Sequence, residues 1–459
     1  MPSILFAGAA QNVTGSRHVV TIGGHQILLD CGNFQGDRNI AEAFNRALLF
    51  DAKKIEAVIL SHGHLDHCGA LPLLMKQGFK GVIWSTEATR DVAEAIMLDN
   101  ARIAEENFRH VKKNEPNIPH LPPVYDDKDV KLVMQRFKSV RYGKKFAPAQ
   151  DVKAMLYDAG HIIGSSVIRL ESKGETIGFT GDLGRVNTPT LEDPTQIQDV
   201  HTLVMEATYG GREHRGFDYA RERLAVVMKD AFKMKSKIIA PSFALGRTQL
   251  LLAMIFDLIA SKKVPSMPII VDSPLADKMS VIYEKHKDLF DAETRALIGH
   301  ARNNPFHFKE LQLISDRDES KMLNGKSGPM LIISSSGMAE SGRVKHHLAH
   351  NIHDPHTIVL ITGYMASGTL GRHIIEGKRH VKIFGKWFPM NARVEDLRGL
   401  SAHADEKDLV AYANNIKGLR RIFLVHGEPQ AGDPLTADLL KAMPGVKVKM
   451  PTLGETVEW

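Results

Sequence analysis

Read for the alternation of apolar and polar positions, the chain changes rhythm twice. Over the first 207 residues, short apolar runs are separated by turn residues, and 19–30, 56–61, 81–85, 152–157, 166–171 and 176–180 predict strands. Residues 86–106 have helical spacing behind a threonine suited to an N-cap. From about Arg212 to Pro389 the pattern becomes strand, loop, helix, several times over. Residues 237–240 lead through Pro241-Ser-Phe-Ala-Leu-Gly-Arg247 into an apolar helix, and 267–271 through Asp272-Ser-Pro-Leu into another. Residues 330–333 lead through Ser334-Ser-Ser-Gly-Met338 into a third, and 358–361 through a Gly-rich turn to Arg372. This is the pattern of a parallel, doubly wound sheet, whose ligands bind beyond the carboxyl ends of its strands. From about Asn391 the first rhythm resumes, with a loop bearing His403, a helix, and a strand over 421–425 that ends at His426. The expected organisation is a domain over 1–207 and 391–459, interrupted by an α/β domain over 208–390.

Composition narrows the class. A hydrophobic content of 43% with 24% charged residues fits a soluble globular protein of 459 residues with two or three domains. The longest apolar stretches are far too short to span a bilayer, and the N-terminus has no export signal, so no membrane partner is expected. Two cysteines, Cys31 and Cys68, exclude a disulfide framework and favour a reducing cytoplasm. A net charge of +6, from 59 basic and 53 acidic side chains, suits a polyanionic partner without demanding one.

Histidine changes the picture most. In Ala57-Val-Ile-Leu-Ser-His62-Gly-His64-Leu-Asp66-His67 an apolar strand runs into three histidines and an aspartate within six residues. His62 and His64 alternate at the strand end, and Asp66 and His67 begin the next helix. Neutral imidazoles and carboxylates at this spacing suit Zn²⁺; the bland alternative is a histidine-rich surface turn. His161 in Asp158-Ala-Gly-His161, Asp182 in Phe179-Thr-Gly-Asp182 and His426 in Leu424-Val-His426 each follow an apolar strand, where a rigid element can hold a functional group.

These residues carry a family resemblance. His62-Gly-His-Leu-Asp-His67, His161 and Asp182 match the signature of the metallo-β-lactamase superfamily. Glu206 in Met205-Glu-Ala-Thr-Tyr-Gly210, His403 in Leu400-Ser-Ala-His-Ala-Asp405 and His426 resemble the further motifs of its β-CASP branch of RNA-processing nucleases. The resemblance runs from Gly8-Ala-Ala-Gln-Asn-Val-Thr-Gly15 to His426-Gly-Glu428. It implies an αββα sandwich with an inserted β-CASP domain, and two zinc ions per chain. His62, His64 and His161 would hold one, Asp66, His67 and His426 the other, with Asp182 between them. Asp30, in Ile27-Leu-Leu-Asp-Cys-Gly32, would orient the ligands from behind.

The implied reaction is hydrolysis of phosphodiester bonds in single-stranded RNA by a water activated between the metals. His403 would protonate the leaving ribose oxygen, and Glu206 would keep His403 charged. Backbone contacts are expected from Ser242, Arg247, Ser334, Ser335, Ser336, Gly337 and Arg372, with the serines at a helix N-terminus and the arginines gripping phosphates. Each of these has a plain alternative as a helix cap or surface ion pair, and Lys378-Arg379-His380 reads as a solvated turn. Cutting within the RNA is expected first, with 5′-exonuclease activity and a homodimer left open. The sequence reaches no N-terminal RNA-binding module of the archaeal type and no extra C-terminal domain, which argues against exonuclease activity. The rival readings are hydrolysis of a small thioester or lactone, which would not need the insertion or the Glu206/His403 pair, DNA processing, whose enzymes generally lack the last ligand histidine, and a non-catalytic RNA-binding subunit. All seven ligand positions are filled, which speaks against an inert site.

Overall fold

The computed structural model describes residues 1–36, 38–114, 120–298, 304–363, 365, 368–397 and 399–459. These form two compact units: 1–187, 193–213 and 403–459 make unit 1, and 188–192 with 214–402 make unit 2.

Unit 1 contains two seven-stranded sheets among the described residues. The first runs Thr456–Glu458, Ser3–Phe6, His18–Ile22, His25–Leu29, Ala57–Ile59, Val82–Ser85, Phe137–Ser139. The second runs Lys447–Lys449, Arg421–Val425, Thr202–Glu206, Glu175–Phe179, Ser166–Ser172, Val152–Asp158, Phe146–Ala149. Side chains alternate across each strand, so each sheet has two apolar faces to bury. Ile4, Val20, Ile27 and Ile59 of the first sheet meet Leu156, Ile168, Ile177, Val204 and Phe423 of the second in one core. On the far face of the first sheet, Leu28 and Val58 pack against Leu71, Met97 and Val133 of the helices Leu71–Lys76, Glu87–Asn114 and Asp127–Met134. On the far face of the second, Leu203, Met205 and Leu424 pack against Leu409 of Glu406–Asn414 and Leu435 of Pro429–Ala442. The layers are therefore helix, sheet, sheet, helix. The strand Thr202–Glu206 is buried at every position, as its place between sandwich core and helix layer requires.

One expected strand is two. The run 19–30 is a hairpin, His18–Ile22 paired with His25–Leu29, turning at Gly23 and Gly24. Both glycines have positive φ, 64° and 97°, which a two-residue turn matching strand twist requires. The helix expected over 86–106 spans Glu87–Asn114, with Thr86 Oγ1 accepting from Thr89 N at 3.1 Å.

Unit 2 holds a six-stranded, wholly parallel sheet in the order Leu311–Leu313, Ile269–Asp272, Met330–Ser334, Lys237–Pro241, Ile358–Ile361, Arg393–Asp396. Helices Arg247–Ala260, Pro274–Lys285, Arg343–Asn351 and Leu370–Ile375 follow its strands. The edge strand Arg393–Asp396 carries unit 2 past residue 390, where the change of sequence rhythm placed its end. Among the described residues, no helix is long and apolar enough to cross a membrane.

Candidate metal centre

Each functional side chain of unit 1 stands where an apolar strand gives way to a turn. Ala57–Ile59 delivers His62 and His64, Val152–Asp158 delivers His161, and Glu175–Phe179 delivers Asp182. Thr202–Glu206 ends on Glu206 itself, and Arg421–Val425 precedes His426. The loops approach too closely for side chains at two glycines. A Cβ on Gly32 would lie 1.6 Å from Asp66 O, and one on Gly184 would lie 2.0 Å from Gly160 O. Asp30 and His426 take positive φ, 60° and 51°, a conformation non-glycine residues seldom hold outside constrained sites.

The side chains converge as two donor sets around one carboxylate. In the first, His62 Nε2 lies 3.0 Å and His161 Nε2 3.3 Å from His64 Nδ1. Asp182 Oδ2 is 3.4 Å from His62 Nε2 and 3.5 Å from His161 Nε2. In the second, His67 Nε2 is 3.3 Å from His426 Nε2, and Asp66 Oδ2 is 3.6 Å from His426 Nε2. Asp182 Oδ1 is 3.2 Å from His67 Nε2. The two oxygens of Asp182 thus face different sets.

Hydrogen-bond roles fix which nitrogen of several rings carries the proton. The Ser61 hydroxyl donates its one proton to Asp30 Oδ2 at 2.8 Å, so toward His62 Nδ1, at 3.0 Å, it can only accept. Thr208 Oγ1 donates to the His426 carbonyl at 3.0 Å and accepts from His426 Nδ1 at the same distance. His67 Nδ1 donates to Asp30 Oδ2 at 2.7 Å. His62 and His426 therefore present a bare Nε2 lone pair to the centre, whereas the Nε2 of His67 faces Asp182 Oδ1 and would do so only once a cation replaced its proton. Asp30 is held in turn by Ser61 N at 2.7 Å and Ser16 Oγ at 3.2 Å. His161 differs, for its Nδ1 is buried without a hydrogen-bond partner.

Electrostatics divide the rings. Burial, with a neighbouring imidazole, lowers the pKa of His62, brings that of His64 to about 3 and holds that of His161 well down. Burial alone would raise Asp66 and Asp182, but the surrounding histidines outweigh it and keep both below the usual carboxylate range. At His67 burial is outweighed the other way, by Asp182 and Asp30, and the pKa rises.

Such an arrangement fits a divalent cation. Lone pairs 3.0–3.5 Å apart, with no proton to place between most of them, repel unless a positive ion lies among them. Nitrogen and oxygen ligands about 2.0–2.1 Å from a tetrahedral ion would lie about 3.3 Å from each other. Asp182 Oδ1 is buried and accepts no hydrogen bond, an orphan that a cation would satisfy.

Beside the centre, His403 Nδ1 lies 3.1 Å from Glu206 Oε2 and 4.0 Å from Asp182 Oδ2. Glu206 is fully buried and Oε1 accepts from Leu183 N at 2.6 Å, so this carboxylate is committed to hydrogen bonds. Leu183 O accepts from Ala404 N at 2.7 Å, and Gly184 bridges to His403, which ties both loops together. Burial opposes charge on His403, but Glu206 and Asp182 prevail and raise its pKa to about 9. The ring is 20% exposed, the only member of the pair open to solvent.

The residues expected to grip phosphate lie in unit 2, and their hydroxyls have partners there. Ser334 Oγ donates to Asp272 O at 2.9 Å, Ser335 Oγ shares a proton with Ser273 Oγ at 2.6 Å, and Ser336 Oγ accepts from Glu340 N at 3.2 Å. Ser242 Oγ accepts from Thr248 Oγ1 at 3.1 Å, and Gly337 is covered by the Phe243 ring. The guanidinium of Arg247 lies 4.9 Å from the centre of the same ring. Arg372 pairs with Glu376 at 2.7 Å. The helix expected directly after the serines begins only at Arg343, and its Val344 N–H donates to Ser335 O at 3.3 Å. The loop's own carbonyl thus takes one of the first N–H groups of that helix.

Ser61 and Thr208 were not among the residues the sequence singled out. Ser61 adjoins His62, and Thr208 lies two residues past Glu206, but nothing in sequence ties Thr208 to His426 across 218 positions.

Comparison with known proteins bears on the whole chain. Residues 15–143 match the metallo-beta-lactamase superfamily, 248–374 the Beta-Casp domain, and 387–451 the Zn-dependent metallo-hydrolase RNA specificity domain. A ribonuclease of Thermus thermophilus is 33% identical over 451 residues, 98% of each chain. An RNase J-like protein of Methanocaldococcus jannaschii is 30% identical over 431 residues, 93% of each. The transcription termination factor FttA of a Lokiarchaeum species is 30% identical over 413 residues, which cover 88% of this chain and 63% of that one. Among solved structures, a protein of unknown function from Enterococcus faecalis V583 aligns over 99% of both chains with a TM-score of 0.53 and 12% identity, a likeness of fold alone.

Proposed function

This chain belongs to the metallo-β-lactamase superfamily, in its β-CASP branch, and from that premise we propose that it is a metal-dependent hydrolase of phosphodiester bonds in single-stranded RNA. The observation that carries the reading is the pairing of His403 with buried Glu206 beside Asp182, next to seven convergent metal-ligating side chains. Hydrolysis of a thioester or lactone does not call for a second, protonated acid at that place. A phosphodiester does, because its ribose alkoxide leaves poorly without a proton.

His62, His64 and His161 would hold one ion and Asp66, His67 and His426 a second, with Asp182 available to both. Two donor sets rich in imidazole nitrogen would suit two zinc ions. When bound, the metals supply an activated water near neutral pH and offset charge on the phosphate. The chain's own residues do the rest. Asp30, Ser61 and Thr208 orient the imidazoles, so that lone pairs rather than N–H groups face the centre. Glu206 keeps His403 charged, and His403 gives its proton to the departing oxygen. Ser242, Arg247, the 334–337 loop and Arg372 position the phosphate backbone without reading sequence. Cleavage within the strand is the activity proposed, and trimming from a 5′ end is the alternative that an end-labelled substrate separates from it.

The direct test incubates the zinc-loaded protein with 5′-labelled single-stranded RNA of mixed sequence, beside matching DNA and an Asp182→Asn control. RNA fragments of intermediate length that vanish in the control are expected. Release of labelled mononucleotide alone would make the enzyme a 5′-exonuclease. Intact RNA in a protein holding two zincs would overturn the ribonuclease reading in favour of a small-molecule hydrolase.

A further inference from the structure

In unit 2 a two-stranded hairpin, His380–Ile383 with Lys386–Pro389, stands outside the six-stranded sheet. Val381 and Ile383 are buried in a cluster with Leu348, Ile352 and Ile374. By the two-residue period of a strand, His380 and Lys382 then face outward, and Lys382 lies directly opposite Trp387 in the ladder. Trp387 is 68% exposed, more than any other large apolar side chain described except Met1. Phe384, 51% exposed, occupies the turn with φ 49°, followed by Gly385 at 78°. Asparagine or glycine is the ordinary occupant of such a position, and a bulky ring there is costly. Its ring lies 4.5 Å from that of His346 at 36°, with Lys345 Nζ 5.3 Å from its centre.

Charge accompanies the rings. From Gly377 to Val394 the sequence holds Lys378, Arg379, Lys382, Lys386 and Arg393 and no acidic residue. Lys378 lies 3.8 Å from Glu376, but among the described residues no carboxylate pairs with Arg379, Lys382 or Lys386. Exposed rings flanked by unneutralised lysines fit a polyanion whose flat, apolar faces are open, which is a single-stranded nucleic acid. A duplex hides those faces. A second copy of the same face would set like charges against each other.

We propose that this hairpin is a stacking platform for single-stranded RNA, with Trp387 taking a base face and Lys382, its partner on the same outward face, an adjoining phosphate. The choice of RNA rests on the ribonuclease reading; the platform itself rests on the hairpin.

The test uses the full chain carrying Asp182→Asn to suppress cleavage, a labelled oligouridylate, and an RNA duplex of equal length. Adding Trp387→Ala is expected to weaken oligouridylate binding about tenfold, while Trp387→Phe keeps most of the affinity. Oligouridylate should quench tryptophan emission in the parent and much less in Trp387→Phe. Lys382→Ala should lower the slope of log affinity against log salt by about 0.7. Unchanged affinity in Trp387→Ala, or tighter binding of the duplex, would overturn the platform. So would a dimer that Trp387→Ala dissociates, since the second copy would then be the occupant. Should the native chain cleave RNA while Trp387→Ala changes nothing, the platform falls alone. Should the parent bind no RNA at all, the ribonuclease reading falls with it.

Discussion

Two buried clusters, one in each unit, use the same residue types at the carboxyl ends of strands, and they are opposite in balance. In unit 1, bare imidazole nitrogens and carboxylate oxygens face one another, and Asp182 Oδ1 accepts nothing. In unit 2, Asp272 Oδ1 accepts from Arg343 Nη1 at 2.7 Å, and Oδ2 accepts from Ser320 Oγ and His347 Nε2, each at 2.6 Å. His347 Nδ1 has its own partner in Asn324 Oδ1 at 2.9 Å. Burial would raise the Asp272 pKa, but these donors, His347 foremost, hold it down. Residue types alone would make the aspartate, histidine and serine of unit 2 look like a reactive centre. The supply of donors separates them: the first cluster has too few and calls for a cation, whereas the second is complete and serves as a brace beneath the serine loop.

The contrast can be broken in descending order of effect. His403→Ala removes a proton donor without touching a ligand, so turnover should fall about 10²- to 10⁴-fold with metal content unchanged. Elemental analysis beside single-turnover cleavage checks both halves, and either normal turnover or parallel loss of metal defeats the assignment. Asp272→Ala should do the reverse. It leaves Arg343 and His347 without their acceptor and should cost about 3–5 kcal/mol in urea unfolding. Metal content should stay the same once the variant is folded; if it drops with stability intact, the brace reading is wrong.

How much of this was legible in sequence follows the reach of each interaction. His62, His64, Asp66 and His67 were legible because one strand and one turn hold them, and His161, Asp182 and His426 because each follows an apolar run. The αββα layers came from the family resemblance rather than from the apolar pattern, and the fully buried strand Thr202–Glu206 fits that layering. The hairpin over 18–29 was read as one strand because paired glycines inside an apolar run do not announce a reversal. The brace around Asp272 escaped notice because its partners come from 48 to 75 positions away, and a hydroxyl or guanidinium so distant carries no local signal. The serine loop was read as running straight into a helix, which begins only at Arg343.

A smaller effect probes the tautomer argument. Thr208→Val keeps the volume but removes the oxygen that accepts from His426 Nδ1, so the ring loses what points its lone pair at the centre. Metal affinity, read by competition with a chelator, should fall about 10- to 100-fold, and Thr208→Ser should restore most of it. Equal affinity in the valine variant would mean that backbone position alone sets the ring.

The smallest expected change is a displacement along the pH axis, and it isolates Glu206. His403 acts as an acid only while protonated, so turnover should hold below its pKa and decline as pH rises through it. Burial works against the cation, and Glu206 and Asp182 together carry the value up to about 9. A bound divalent ion offsets the charge of Asp182, which leaves Glu206 as the partner that sustains His403 in the loaded enzyme. Glu206→Gln keeps an oxygen for Leu183 N–H and a hydrogen-bonding side chain for His403, but removes the negative charge. The pKa of His403 must then fall, and the alkaline limb of the turnover profile should move to lower pH while rates on the acid side change little. A limb that stays in place would show that the titrating group is not His403, and that the carboxylate serves only to join the two loops.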